Sequence, residues 1–341
     1  MKNQFSEKKI LVTGGTGSIG SEIVRQLLPL QPEVIRIFSR DETRQFFMQQ
    51  ELRDYDNLRF LIGDIRDKER VDMAMQEIDI VFHAAALKHV PSCEYNPFEA
   101  IKTNVNGTQN LIKSAIENKV EKVISISTDK SVNPINVMGA TKLLMERLIV
   151  SANYSMGKHK TKFACVRFGN VLGSRGSLLD LFKDQIKKGH VVTVTNPDMT
   201  RFFMSVSDAV GLMFKTTELM IGGEIFILKM PSAKLGNFVK IAVEEIVANS
   251  DRKQQKIQIE RIGIRPGEKM HEELMTTDEA SRAKELEAMY IILPMITEPF
   301  MEKQYKYPGE KQFAGLPYQS NNQDLMTNEQ IRLMIRSANL I

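Results

Sequence analysis

Ser127-Thr128-Asp129-Lys130 sets hydroxyl, carboxyl and amine groups side by side, and a second lysine, Lys142, follows in the stretch Asn136-Val-Met138-Gly-Ala-Thr-Lys142. Side chains of these types move protons to and from a reacting group. The residues before them, Lys122–Ser127, are β-branched and mostly apolar, the pattern of a buried strand. After them a helical pattern begins near Asn136 and carries Lys142, Leu143, Leu144 and Leu148. Polar groups at the carboxyl end of a strand, facing a helix that bears a lysine, lie where open α/β sheets do chemistry.

The elements that must hold these groups start at Lys9-Ile-Leu-Val-Thr13, a short apolar strand running into Gly14-Gly-Thr16-Gly17-Ser18-Ile19-Gly20. A helix with Ile23, Val24, Leu27 and Leu28 on one face follows. Strand, glycine turn and helix together form a dinucleotide-binding pattern. Gly14 makes the turn, Gly17 lets a pyrophosphate approach the backbone, and Gly20 lets helix and strand pack closely. The phosphates then meet the helix N-terminus, with Thr16, Ser18 and Ile19 beside them. A second strand, Val34–Phe38, ends at Ser39-Arg40-Asp41. An arginine here suits a 2′-phosphate and an acid suits a 2′-hydroxyl, so Ser39 and Arg40 favour NADP while Asp41 keeps NAD open.

A third strand, Arg59–Ile62, leads to Gly63-Asp64-Ile65, where Asp64 is expected to meet an adenine amino group. The fourth, Asp79–His83, closes on Ala84-Ala85-Ala86, small residues that let a ligand pass close to the backbone, with Lys88 at the lip. A long helix is expected over Pro97–Asn118 with Asn104 inside it, and a sixth strand over Phe163–Phe168. This succession describes an α/β protein: a Rossmann-type doubly wound parallel sheet with a smaller mixed α/β substrate-binding lobe. The expected division is 1–170 for the dinucleotide-binding domain, with later strands from about 200–230, then 171–295 for the lobe. Residues 296–341 read as a loosely structured arm ending in a helix near Asn328–Ser337.

Composition narrows the partners. The 341 residues are 42% hydrophobic and 26% charged, and the net charge of +4 is spread without a basic stripe, so no nucleic acid is expected. Cys93 and Cys165 are the only cysteines, and His83, His89, His159, His190 and His271 lack zinc-ligand spacing, so neither a disulfide framework nor a metal is expected. No apolar run approaches the roughly 20 residues that span a bilayer. The first residues lack the apolar core of a signal peptide, and a cytoplasmic protein is expected.

These stretches resemble the extended short-chain dehydrogenase/reductase superfamily and, within it, the UDP-N-acetylglucosamine 4,6-dehydratases. The resemblance is carried by T-G-G-T-G-S-I-G at 13–20, S-R-D-E at 39–42, A-A-A-L-K-H-V-P at 84–91 and S-T-D-K-S-V-N-P-I-N at 127–136. It continues through R-F-G-N-V-L-G-S-R-G-S at 167–177, T-R-F-F-M-S at 200–205 and R-P-G-E-K at 265–269. Such an enzyme oxidises the sugar at C4, removes the C5 proton, loses water from C6 and returns the hydride to C6. The resemblance implies that Asp129 protonates the departing hydroxyl, Lys130 removes the C5 proton and Thr128 hydrogen-bonds the C4 hydroxyl. The acid must then hold a proton and the lysine must be neutral, which a closed, desolvated site favours. Lys142 is implied to hold the nicotinamide ribose, with Ala84, Ala86, Lys88, Asn104, Asp64 and Ile65 lining the cofactor. Lys88, Thr128, Asn170, Ser174, Arg175, Ser177, Arg201, Arg265 and Glu268 are implied to hold the UDP-sugar, because arginine forks suit phosphates.

One position departs from the superfamily. The usual tyrosine, four residues before the helix lysine, is Met138 here, which cannot accept a proton. Thr128 with an ordered water is the alternative route for the C4 proton. The C5 outcome stays open: V-M-G-A-T-K leans towards retention, the short chain and S-R-D-E towards inversion. A UDP-hexose 4-epimerase and a catalytically silent NADP-binding regulatory protein are the competing readings. The resemblance also implies a homo-oligomer, a dimer through the long helices or a hexamer.

Overall fold

The computed structural model describes residues 3–154, 160–189, 191–250, 257–296 and 305–338; His159 and His190 lie outside them. Six strands alternate with helices in the first half: β1 (Lys9–Thr13), β2 (Val34–Ser39), β3 (Leu58–Ile62), β4 (Ile80–His83), β5 (Lys122–Ile126) and β6 (Lys162–Arg167). The chain leaves the sheet for β7 (Asn170–Leu172), β8 (Val191–Val194) and β9 (Thr200–Ser205), then returns as β10 (Ile225–Leu228). Short strands follow: β11 (Ser232–Lys234), β12 (Gln258–Arg261), β13 (Glu273–Met275), β14 (Ala283–Glu285), β15 (Met289–Ile292), β16 (Lys311–Gln312) and β17 (Tyr318–Gln319).

The large sheet has the order β3-β2-β1-β4-β5-β6-β10, all parallel, extended by antiparallel β15, β14 and β16. β1, β4, β5 and β6 are almost wholly buried apolar runs, as strands covered by helices on both faces must be. The strand order reverses between β1 and β4, which opens a crevice at the carboxyl ends of those strands. Thr13, His83 and the Thr128 turn all stand at that edge. The doubly wound sheet expected from the sequence is therefore present.

The smaller lobe has its own core, in which Phe182, Phe203, Phe238, Leu235 and Ile241 pack together. Phe203 and Phe238 stack with ring centroids 4.2 Å apart. Two expectations need correction. The stretch expected as one α-helix is Pro97–Ala100 and Gly107–Glu117, joined by a π-helical turn over Ile101–Asn106. The wider turn swings Asn104 inward, where it binds both backbone groups of Leu87. The supposed loose arm is also packed within its described residues. β16 joins the large sheet, β17 pairs with β13, and the helix Asn328–Ser337 buries Ile331 and Ile335 in the lobe core. Arg336 forks onto Glu245 of the helix Leu235–Ala248, at 2.7 and 3.0 Å.

Candidate active site

The glycine turn is tight because nothing larger fits. Gly14 has φ +65°, and a Cβ there would lie 2.8 Å from the Ala84 carbonyl and the Ala85 nitrogen. The alanine triplet thus packs against the glycine turn itself. Gly17 precedes the helix Ser18–Leu27 and gives it no side-chain cap, so the helix's first N–H groups are left for an anion. This cradle fits a dinucleotide pyrophosphate. Arg175 reaches over it: its Nη2 donates to the Thr16 carbonyl and its backbone N–H to Ser18 Oγ at 2.8 Å. Lys88 Nζ in turn donates to the Arg175 carbonyl at 2.7 Å. Ser174 bonds back to Val171, and Ser177 Oγ is buried without a partner among the described residues at the start of the helix Leu178–Lys188. A cavity of about 830 Å³ beside the turn is lined by Thr16, Ser18, Arg25, Arg44 and Arg175.

At the end of β2 the three expected residues divide. Arg40 is exposed and stands 3.6 Å from Asp64. Asp41 is committed elsewhere: it caps the helix Glu42–Glu51 through the Arg44 N–H and also pairs with the Arg44 side chain. Ser39 is turned inward, accepting hydrogen bonds from Thr16 and Gln45, so it anchors the glycine turn rather than facing a ligand. Asp64 is held by Arg66, and Ile65 packs against Gly107. Burial works against the Asp64 carboxylate, but Arg66 and Arg40 draw its pKa below the usual range.

The Thr128 turn is the centre of the site. Asp129 is fully buried, and its Oδ1 accepts from Thr128 Oγ1 and from Lys130 Nζ, both at 2.9 Å. Asp129 Oδ2 is buried and has no partner among the described residues. Burial opposes the charge on Lys130, yet Asp129 and Glu272 outweigh it and hold the ammonium above its ordinary pKa. The turn is braced from behind. Ser131 Oγ donates to the Thr128 carbonyl at 2.6 Å and lies 3.0 Å from Glu146 Oε1, and Glu146 takes a two-pronged bond from buried Arg167.

Lys142 is buried and donates to the Ile126 carbonyl at 2.9 Å; burial pushes its pKa down to about 8, partly offset by Cys165 and Glu146. Met138 is 3% exposed and packs with Cys93 and Ala100, so it is a core residue. His83 lies between Thr13 and Thr108, and burial drives its pKa to about 3, with Lys142 adding to the effect. It is a neutral, structural histidine.

Two sequence assignments shift. Arg201 is buried, and its terminal nitrogens donate to the carbonyls of Thr200, Met270 and Lys269 and to the Met199 sulfur, with Nε 3.6 Å from Glu272. Its four terminal N–H groups are thus all taken among the described residues, and Nε faces Glu272 rather than open space. Asn104 grips Leu87 and Thr141 and so holds the segment that follows the alanine triplet from one layer back. Arg265 remains exposed, and Glu268 closes its turn by accepting the Arg265 N–H. That turn docks on the active helix, where Asn136 Nδ2 donates to the Gly267 carbonyl at 2.9 Å. Asn170 begins β7, opposite Phe203 of β9. Sequence reasoning missed Glu272, which stands 3.8 Å from Lys130. In the sequence it is one acid in a polar run, with no signal of burial. Among the described residues no group of acids, histidines or cysteines could hold a metal ion.

Residues 10–294 match the model of a family described as polysaccharide biosynthesis protein. An uncharacterized membrane protein of Methanocaldococcus jannaschii is 51% identical over 100% of this chain and 99% of its own. No described helix here is long and apolar enough to cross a membrane. A UDP-N-acetylglucosamine 4,6-dehydratase (inverting) of Campylobacter jejuni is 42% identical, covering 95% of this chain and 96% of that one. A UDP-glucose 4-epimerase of Rickettsia canadensis is 40% identical over 99% and 98%. The X-ray structure of Pen from Bacillus thuringiensis superposes with a TM-score of 0.91 at 46% identity, covering 99% of each chain.

Proposed function

The chain belongs to the polysaccharide biosynthesis protein family, and from that premise we propose that it is a UDP-N-acetylglucosamine 4,6-dehydratase, a cytoplasmic hydro-lyase using NADP. The observation that carries this reading is the fully buried Asp129 paired with half-buried Lys130 at the end of β5, beside the glycine cradle. A 4-epimerase removes no carbon-bound proton at C5 and expels no hydroxyl, so it has no use for this pair.

The bound nicotinamide would supply the redox chemistry, taking hydride from C4 and returning it to C6. Thr128 receives the proton of the C4 hydroxyl and passes it along its own hydrogen bond to Asp129, the group that Met138 cannot replace. Lys130 as a free amine takes the C5 proton, acidified by the C4 ketone. Asp129 protonates the C6 hydroxyl, which leaves as water. Lys142 and the helix N-terminus orient the dinucleotide. Arg265 and the Asn170–Ser177 loop are the proposed holders of the uridine diphosphate. The inverting Campylobacter relative supports inversion at C5 over the retention favoured by the V-M-G-A-T-K wording. NMR of product formed in deuterated water separates the two.

Incubation with UDP-N-acetylglucosamine and NADP is expected to yield a product lighter by one water. An unchanged mass with a new hexose configuration would give the function to the epimerase reading. No turnover despite tight cofactor binding would support the silent one. Exposed Arg40, with Asp41 spent on its helix cap, supports NADP over NAD, and Arg40→Ala should weaken NADP far more than NAD. Equal losses would remove that argument.

The proposed assembly is a homo-oligomer through the helical stretch at 97–117 and the helix Val137–Ala152. Their outer face leaves Phe98 77%, Leu144 52% and Ile101 41% exposed, apolar area that a closed interface would cover. Sedimentation at micromolar concentration should exceed the monomer mass of 38.8 kDa, and a monomer would count against it.

A further inference from the structure

The proposed reaction has a proton count that Asp129 and Lys130 cannot carry between them. At rest the pair holds one proton, on Lys130. Oxidation at C4 delivers a second, which makes Asp129 a neutral acid. Both sites are then full, yet Lys130 must be a free amine to take the proton from C5. A third group has to accept the proton that Lys130 gives up.

Glu272 stands where that group is needed. It is 3% exposed, its Oε1 lies 3.8 Å from Lys130 Nζ, and its Oε2 is buried with no partner among the described residues. Lys130 therefore sits between two carboxyls, each with one unpartnered oxygen. The C-terminal segment fixes the loop: Ser320 Oγ accepts the Glu272 N–H at 2.9 Å and bonds to Thr200 Oγ1 at 2.6 Å, and Thr200 Oγ1 meets His271 Nδ1 at 2.8 Å.

We propose that Glu272 is the third proton-holding group of the site, acting through Lys130 and held in place by Ser320 of the C-terminal segment. This rests on the dehydratase reading. As the C4 proton reaches Asp129, the Lys130 ammonium passes one proton to the Glu272 carboxylate, leaving a neutral amine and a neutral carboxyl. Lys130 then takes the C5 proton, and Asp129 gives its proton to the leaving C6 hydroxyl. After the hydride reaches C6, Lys130 reprotonates C5 and recovers its own proton from Glu272. The site ends as it began, with two carboxylates and one ammonium.

The surroundings suit that duty. Burial pushes the Glu272 carboxyl above its ordinary pKa and Asp129 adds to this, while Lys130, Arg201 of β9 and Lys269 of its own loop pull the other way. Such a carboxyl takes up a proton more readily than an ordinary glutamate, and the facing cations draw it off again.

Glu272→Gln keeps the size and removes the proton site. In single turnover with UDP-N-acetylglucosamine, reduced cofactor should still form at near the wild-type rate but persist, and loss of water should slow at least tenfold. Exchange of the C5 proton with deuterated solvent should fall by the same factor, and Glu272→Asp should recover part of both. Elimination at the wild-type rate in Glu272→Gln would overturn the proposal. A second measurement needs no substrate: in lysine-labelled protein followed by NMR, the Lys130 titration should move down in Glu272→Gln, because a facing negative charge is gone. An unmoved Lys130 overturns the proposal even if the wild-type protein acts on another sugar. Failure of the wild-type protein to dehydrate UDP-N-acetylglucosamine, with Lys130 shifted as expected, instead sinks the function and leaves the Glu272–Lys130 coupling standing.

Discussion

Asp129→Asn should cut turnover of UDP-N-acetylglucosamine by about 10²–10⁴, the usual contribution of one general acid, while cofactor and substrate bind nearly as before. The side chain is fully buried, and asparagine has the same size, so the turn keeps its shape. Its oxygen can still accept from Thr128 and Lys130 in place of Oδ1. What disappears is the proton for the C6 hydroxyl and the terminus of the Thr128 route. Calorimetry for binding and rapid quench for turnover separate the two effects. Wild-type turnover in this variant would remove the proposed mechanism while leaving the fold untouched.

Arg167→Met should act on stability first. Arg167 is 1% exposed and forks onto Glu146 at 2.8 and 2.8 Å and onto Glu279 at 2.9 and 2.8 Å, with a further bond to the Leu274 carbonyl. Removing it leaves two buried carboxylates without a cation, which costs about 3–5 kcal/mol. The loss should be smaller in the Arg167→Met, Glu146→Gln, Glu279→Gln triple variant, because the uncompensated charges go with it. Turnover should also fall, because Glu146 braces Ser131 and, through it, the Thr128 carbonyl.

The same network predicts a pH dependence. Burial alone would raise the Glu279 carboxyl, but Arg167 and the Thr276 N–H hold its pKa at about 2, against 4.5 for a free glutamate. A carboxyl depressed on folding stabilises the folded state fully above its unfolded pKa. That contribution, about 3 kcal/mol, is lost as pH falls from about 4.5 towards 2. Urea midpoints measured across this window should fall more steeply in the wild type than in Arg167→Met. Parallel curves would show that Glu279 does not depend on Arg167.

The sequence by itself determined the parts whose physics is local. A glycine turn between an apolar strand and an amphipathic helix needs only neighbouring residues, and Gly14 at φ +65° against Ala84 has the role its spacing indicated. The Thr128–Lys130 turn was legible for the same reason: it follows a strand whose burial is written in its own side chains. The helix expected near Asn328–Ser337 is present at those bounds, and the structure shows its Thr327 cap lying within the same segment. What that helix packs against was not legible, so a packed segment looked like a loose arm. Only the tertiary structure decided where the charges go. Arg167, Glu146 and Glu272 look in sequence like the charged residues of any surface, and Arg201 like a phosphate ligand, since desolvation is a property of what surrounds a side chain. Their partners come from distant segments: Glu279 to Arg167, Glu272 to Lys130, Ser320 to Glu272. Met138 shows the same limit in reverse. The sequence marked it as a departure at a catalytic position, and the fold places it against Cys93 and Ala100, where packing and not chemistry selects a methionine.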